Sequence, residues 1–193
     1  MNSRLILAST SAYRRLLLQR LTDSFECVSP NVDERELAEG ICNPNRVARI
    51  LAHAKAADVA KRFPESIVIG SDQVVSFEDE ILGKPMTIEN AIRQILRLSG
   101  KPHRLISAVC IIGPEGTVEF ENEVLLKMRE IDEQEAIRYI ERDLPLDCAG
   151  SYKIEAAGIA LFESINCSDF TAIVGLPLMQ LSSELRRVGI LIP

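Results

Sequence analysis

The sequence predicts a mixed α/β protein, a β-sheet flanked by helices. Three observations carry this: short β-branched runs alternate with helix-period segments, one pair of runs is joined by an obvious turn, and no internal repeat or low-complexity tract interrupts them. At 193 residues the chain suits one domain, 1–193, with room for two lobes. A composition of 47% hydrophobic and 26% charged residues is that of an ordinary globular protein. Trp is absent and aromatics make up 5%, so the core must be built from Leu, Ile, Val and Ala.

The elements follow in order. Arg4–Ala8 reads as a buried strand, and Ser9-Thr10-Ser11 leads into a helix over Ala12–Leu21 with Ser11 or Thr10 as its cap. Phe25–Ser29 is a second strand, and Asn31–Glu39 an acidic loop. Asn43-Pro44 opens a long helix to Arg62, since Pro in a first turn forfeits no hydrogen bond. Val47, Ile50, Leu51 and Ala54 form its apolar stripe. At roughly 100° per residue, Lys55 lies about 90° from the centre of that stripe, at the boundary of core and solvent.

Ile67–Ser71 is a strand that ends at Asp72-Gln73, and Val74–Phe77 pairs with Ile81–Leu82 about the turn Glu78-Asp79-Glu80. Thr87 caps a helix that stops at Gly100. Leu105–Ile112 and Thr117–Met128 form the clearest hairpin, about Gly113-Pro114-Glu115-Gly116. Asp132 and Glu135 form a capping box for a helix to Arg142. Gly158–Phe162 reads as a strand, and Pro177 begins a last helix that ends before Gly189.

Charge narrows the function. A net charge of −6 gives no overall basic field, which argues against a nucleic-acid polymer as partner. Phosphate binding must then come from a few cations in one cleft, which points to a small phosphorylated ligand. The five cysteines, Cys27, Cys42, Cys110, Cys148 and Cys167, are odd in number and widely spaced. They read as reduced, mostly buried thiols of a cytoplasmic protein. With His53 and His103 the only histidines, a His/Cys zinc site is not expected. His53 reads as a surface residue, and a metal would be held by carboxylates, which favours Mg²⁺ or Mn²⁺. Leu5–Ala8 breaks off at Ser9-Thr10-Ser11 and Arg14-Arg15, so no secretory signal or membrane span is expected.

Four constellations have chemical potential. Ser9-Thr10-Ser11-Ala12-Tyr13-Arg14-Arg15 joins free N–H groups, hydroxyls and cations at a helix start. Cations there oppose the helix dipole, so a negative partner is expected, unless the arginines are merely solvated. Val32-Asp33-Glu34 is a carboxylate pair, and Gly70-Ser71-Asp72-Gln73 places an acid at a strand end, where α/β proteins bind ligands. Gly83-Lys84-Pro85 is a turn with a lysine and lacks P-loop spacing. Each has a plain alternative as solvated loop or turn. Converging carboxylates and cations would form a metal–phosphate site.

Taken in order, Leu5-Ile6-Leu7-Ala8-Ser9-Thr10-Ser11-x-x-Arg14-Arg15, Val32-Asp33-Glu34, Ala52-x-x-Lys55-Ala56, Gly70-Ser71-Asp72-Gln73-Val74, Gly83-Lys84-Pro85 and Gly175-Leu176-Pro177 resemble the Maf family of nucleotide pyrophosphatases. The resemblance spans essentially the whole chain. It implies a fold similar to inosine triphosphate pyrophosphatases, with a cleft between two lobes. It also implies hydrolysis of a nucleoside triphosphate to the monophosphate and pyrophosphate with a divalent cation (Mg²⁺, Mn²⁺ or Co²⁺). By the same resemblance Asp72 accepts a proton from water, Glu34 and Asp72 hold the metal, Arg14, Lys55 and Lys84 bind phosphate, and Ser9 is the phosphate-loop hydroxyl.

Tyr13, Gln73 and Glu155 match the subgroup similar to 7-methyl-GTP pyrophosphatases, as does Cys148-Ala149-Gly150-Ser151-Tyr152-Lys153. An aromatic face attracts the cationic methylated base, and a carboxylate accepts hydrogen bonds from the guanine edge. The Tyr departs from the Trp frequent in that subgroup. A house-cleaning role follows from this reading. Two alternatives stand beside it: a dTTP/UTP pyrophosphatase, and a nucleotide-binding regulator of cell division or septum formation. A homo-oligomer is compatible with either.

Overall fold

A computed structural model describes residues 4–78 and 80–193. In chain order it comprises β1 (Leu5–Ala8), α1 (Ala12–Gln19), β2 (Glu26–Cys27), α2 (Glu34–Ala38), α3 (Pro44–Arg62), β3 (Ile67–Phe77) and β4 (Glu80–Leu82). There follow α4 (Ile88–Leu98), β5 (Pro102–Gly113), β6 (Gly116–Met128), α5 (Glu133–Asp143), β7 (Phe162–Asn166), α6 (Thr171–Val174) and α7 (Leu178–Arg187). The strands form one mixed sheet in the order β2-β1-β3-β5-β6-β7, with β4 paired to β3. β1 runs parallel to β2 and β3, with Ala8 opposite Gly70, whereas β3–β4 and β6–β7 are antiparallel.

The chain divides into two compact units. The first comprises the described residues up to Gln73, then Ser107–Asn122 and Asp169–Pro193; the second comprises Val74–Ile106 and Glu123–Ser168. β3, β5 and β6 each contribute residues to both.

In the first unit, Leu5, Leu7, Ile67, Ile69, Val109 and Ile111 of the strands pack with Leu17, Leu18, Leu178, Leu181 and Leu185 of α1 and α7. α3 is held more closely. Its buried face is Val47, Ala48, Leu51, Ala52, Lys55, Ala56 and Val59. A Cβ on Gly70 would lie 2.3 Å from Ala52 O and 2.6 Å from Ala56 N, so helix and strand backbones approach as only glycine permits. This corrects the expected stripe: Ile50 and Ala54 are only half-buried, and Lys55 points into the protein. The alanines lead the helix inward because they are small, not because they are strongly apolar.

In the second unit α4 packs on α5, and Ala91, Ile95, Leu98, Ala136, Tyr139 and Ile140 are buried. Thr87 caps α4, and the Asp132–Glu135 capping box opens α5, both as expected. His103, Tyr152 and Phe162 form an aromatic cluster, with His103 Nε2 3.1 Å from Tyr152 Oη. Burial drives the imidazole down to about 4.

Several expectations need correction. The acidic loop contains helix α2, started by Asp33, whose carboxylate accepts from the N–H groups of Arg35 and Glu36. Gly158–Phe162 is not a strand: Ala157–Leu161 forms a 3-10 turn and β7 begins at Phe162. A Cβ on Gly158 would fall 2.4 Å from Lys153 O, which marks this tight turn. β3 does not end near Asp72 but continues to Phe77. Asp79, in the expected β3–β4 turn, lies outside the described residues; Val75 and Ser76 pair with Leu82 and Ile81 as expected, but Glu80, expected in the turn, joins β4 opposite Phe77. All five cysteines are free, but only Cys110 is buried; Cys27 and Cys42 are exposed, because one lies on a two-residue strand and the other just before α3.

Two outcomes follow. Gly70→Ala forces α3 from β3 and lowers the urea-unfolding free energy by about 1–3 kcal/mol, the range for overpacking. His103 has a depressed folded value, so its contribution is complete above the unfolded value of 6.5 and is lost as pH falls through about 4. At about 1.4 kcal/mol per pH unit, up to about 3 kcal/mol is lost across that window. In His103→Gln, stability measured by denaturant titration should be flatter between those two pH values.

Candidate active site

β3 sorts the site by strand alternation. Successive residues face opposite sides, so Gly70 and Asp72 share the face covered by α3, while Ser71 and Gln73 share the other. Lys55 stands one residue before Ala56, which touches Gly70. Its Nζ lies 2.6 Å from Asp72 Oδ1. The same Nζ lies 2.8 Å from Glu34 Oε1, at the first residue of α2. The side chains of Lys55 and Asp72 are only 7% and 9% exposed, whereas that of Glu34 is 52% exposed. One ammonium therefore bridges a buried carboxylate and a solvent-facing one.

Burial raises the proton affinity of the Asp72 carboxylate, opposed by the positive charges of Lys55 and Arg14 and by the Lys55 hydrogen bond. Burial likewise pushes the Arg14 guanidinium down, opposed by Asp72 and Glu34. The puzzle of a cation in the first turn of α1 is thus answered within the protein: Asp72 and Glu34 supply the opposing charge. Two carboxylates and two cations make a balanced set, on which a phosphorylated ligand would be an addition.

On the opposite face of β3, Ser71 Oγ donates to Gly175 O at 3.1 Å, and Arg14 Nε donates to the same carbonyl at 3.0 Å. Gly175 has φ +117°, and a Cβ there would sit 3.4 Å from Arg14 Nε, which explains the glycine of Gly175-Leu176-Pro177. The Gln73 amide nitrogen lies 2.9 and 3.0 Å from the carbonyls of Ala172 and Ile173 and 3.1 Å from Ser107 Oγ. Gln73 therefore anchors α6 to β3.

Sequence reasoning missed Asp169. Its carboxylate accepts from Thr171 N at 2.9 Å and from Met179 N at 2.8 Å, and so ties the starts of α6 and α7 around Gly175. The signal was the Asp169-Phe170-Thr171 spacing, a turn pattern ahead of a short helix. Ser9 is buried and accepts at Oγ from Ser11 N at 3.1 Å, which shapes the turn into α1. Ser11 Oγ in turn accepts from Arg14 N, and Tyr13 lies half-buried beside them on α1. The structure brings Arg14, Glu34, Lys55 and Asp72 together.

Lys84 and Glu155 belong to the second unit. Gln94 and Asn90 of α4 donate to the carbonyls of Gly83 and Pro85, each at 3.0 Å, and fix the Lys84 turn. Lys84 lines a pocket with Pro85, Asn90, Arg93, Gln94 and Arg97, so three cations share it. Ser151 Oγ donates to Gln94 Oε1 at 2.6 Å and joins the Cys148–Lys153 run to the same helix. Glu155 is exposed just beyond that run.

The oxygen donors of Glu34 and Asp72 suit Mg²⁺ or Mn²⁺, which are commonly held by one or two carboxylates with phosphate and water completing the shell. Lys55 already shows that a cation is stable between them.

Comparison with solved structures identifies the fold. The Ham1 protein of Staphylococcus aureus matches 95% of this chain and 100% of its own with a TM-score of 0.51 at 16% identity. A Ham1 protein from Coxiella burnetii covers 96% and 99% with a TM-score of 0.50 at 13% identity. The fold is thus that of a Ham1-like α/β protein. A family model described as "Maf-like protein" matches residues 4–188, and the chain belongs to that family. Curated relatives named 7-methyl-GTP pyrophosphatase are 47% identical in Aromatoleum aromaticum (99% of this chain, 98% of the relative), 46% in Xanthomonas campestris (100% of each) and 42% in Bdellovibrio bacteriovorus (96% and 97%).

Removing Lys55 leaves Asp72 buried without its cation, so Lys55→Met should destabilise the protein by about 3–5 kcal/mol, the range for a broken buried pair. Lys55→Met with Asp72→Asn should recover part of that loss in a double-mutant cycle followed by urea unfolding.

Proposed function

We propose that this protein is a nucleotide pyrophosphatase that hydrolyses 7-methyl-GTP to 7-methyl-GMP and pyrophosphate, a house-cleaning reaction in the cytoplasm. The carrying observation is Asp72, buried on β3 and held 2.6 Å from Lys55 with Glu34 on the same ammonium. Full-length relatives bearing that activity in their names support the substrate. Among the described residues no helix is long and apolar enough to cross a membrane.

Water attacks phosphorus at the anhydride between the α- and β-phosphates, and Asp72 takes its proton. Burial makes Asp72 a stronger base than an exposed aspartate, and the positive charges of Lys55 and Arg14 oppose that rise. Lys55 and Arg14 also stabilise charge gathering on the leaving pyrophosphate. Lys84 serves the phosphates from its turn beside α4. Glu34 and Asp72 would hold a divalent cation, which would supply charge neutralisation at the phosphates and acidify the attacking water. Tyr13 and Glu155 read the base, one through its ring face and the other through its carboxylate. The hydrogen bonds of Gln73 favour a supporting part in this selection, through the α6 backbone. Residues 1–193 act as one functional domain in this reading.

Pyrophosphate release from a nucleotide panel with Mg²⁺, Mn²⁺ or Co²⁺ tests the proposal, with 7-methyl-GTP expected to be preferred. A preference for UTP or dTTP would overturn the substrate and leave the reaction intact. Asp72→Asn should lower kcat by about 100-fold or more, as loss of a general base does, while nucleotide still binds. Unchanged turnover in that variant would refute the mechanism.

A further inference from the structure

A second group of metal-binding side chains lies on the outer side of α3 and plays no part in the chemistry above. His53 of α3, Cys110 of β5 and Glu119 of β6 present ligand atoms that all lie within 4.8 Å of one another. His53 Nδ1 is 2.7 Å from Glu119 Oε1 and 3.7 Å from Cys110 Sγ. We infer that imidazole, thiolate and carboxylate form a site for a borderline divalent cation of the Zn²⁺ type, independent of nucleotide and of the Glu34–Asp72 pair.

The geometry is close to what such an ion needs. With Zn–N near ~2.0 Å and Zn–S near ~2.3 Å, tetrahedral ligands stand roughly 3.5 Å apart. The sulfur–nitrogen separation already meets this, and the histidine–carboxylate contact has to open by less than about 1 Å. Donor type fits as well: a soft sulfur, an imidazole and one carboxylate oxygen select zinc-like ions over magnesium. Charge fits too. A doubly charged cation with one thiolate, one carboxylate and a neutral imidazole gives a neutral site, suited to a place where Cys110 is buried.

The neighbours leave these ligands available to one another. Glu121, two residues further along β6, is engaged by Asn45 at 3.0 Å and Arg49 at 3.7 Å, two turns and one turn before His53 on α3. The cation of this helix face thus serves Glu121, and Glu119 turns to His53. Burial and Glu119 push the Cys110 thiol up to about 12, so the metal-free thiol is protonated. Binding forms the metal–sulfur bond and releases that proton to solvent. His53 and Glu119 are exposed, which leaves a fourth position for water. The widely spaced His and Cys residues gave no ligand motif along the chain, because three separate elements contribute one donor each.

Such an ion would pin α3, which carries Lys55 two residues beyond His53, to the β5–β6 hairpin. The test uses the whole chain, stripped of metal and titrated with Co²⁺ as a spectroscopic probe in excess Mg²⁺. One equivalent should give a sulfur-to-cobalt charge-transfer band in the near ultraviolet, which carboxylates alone cannot produce, and Zn²⁺ should abolish it. The band should vanish in Cys110→Ala and in His53→Ala, and persist in Glu34→Gln. Because His53 is exposed, its variant keeps the fold, and its Zn²⁺ affinity should fall by more than about 10-fold. Zn²⁺ should raise the Tm of the parent but not of His53→Ala. Absence of the band, or its survival in either ligand variant, overturns the inference.

Discussion

The buried contact between Lys55 and Asp72 is the constraint around which the first unit is arranged. Either charge alone in that position would carry a desolvation cost of several kcal/mol, so each is tenable only beside the other. The partner must also arrive at the right depth. It does so because Gly70 lets α3 lie against β3 at backbone distance, with Ala52 and Ala56 filling the contact. A larger residue at any of these positions would lift the helix and withdraw the ammonium. The depth and spacing of the charged pair are thus a by-product of close helix–strand packing.

The same strand performs two kinds of work through its alternation. One face holds the charged groups; the other, through Ser71 and Gln73, grips the backbone of α6 and the Gly175 turn. Arg14 belongs to both systems, since its guanidinium donates to Gly175 and feels the field of Asp72 and Glu34. The position of the acid and the position of the arginine are therefore coupled through one carbonyl and one strand.

Most of the architecture was legible in the sequence because strand, cap and turn signals are local. Ser11, Thr87 and Asp132 cap the helices for which the sequence offers them as caps, and Asn43 caps the helix that Asn43-Pro44 opens. The β5–β6 hairpin appears where Gly113 and Gly116 bracket its turn. What was misread depends on tertiary packing. Periodicity puts Lys55 at a boundary because large aliphatics outweigh alanine in it, whereas depth at this interface goes to the smallest side chains. The sequence ends the strand at Asp72 because an acid inside an eleven-residue strand is costly unless a cation from elsewhere meets it. The site residues themselves were named through ordered motifs, and the convergence of Arg14, Glu34, Lys55 and Asp72 is not a property of any one segment. Asp169 escaped because its partners, Thr171 and Met179, matter only once two helix starts are side by side.

The interleaving of the two units has a consequence for how the protein is made. The second unit lies wholly between the first and last segments of the first unit, so the ribosome delivers it before the first can close. Glu34, Lys55 and Asp72 are all synthesised early, yet the carbonyl that holds Arg14 follows 161 residues later. Until α6 and α7 emerge, the apolar sides of β1 and α1 wait without the leucines of α7 to cover them. Contacts of such long sequence separation slow folding and prolong the exposure of sticky surface. The last twenty-odd residues, remote from the acid in sequence, thus act as the closing piece of a nascent chain.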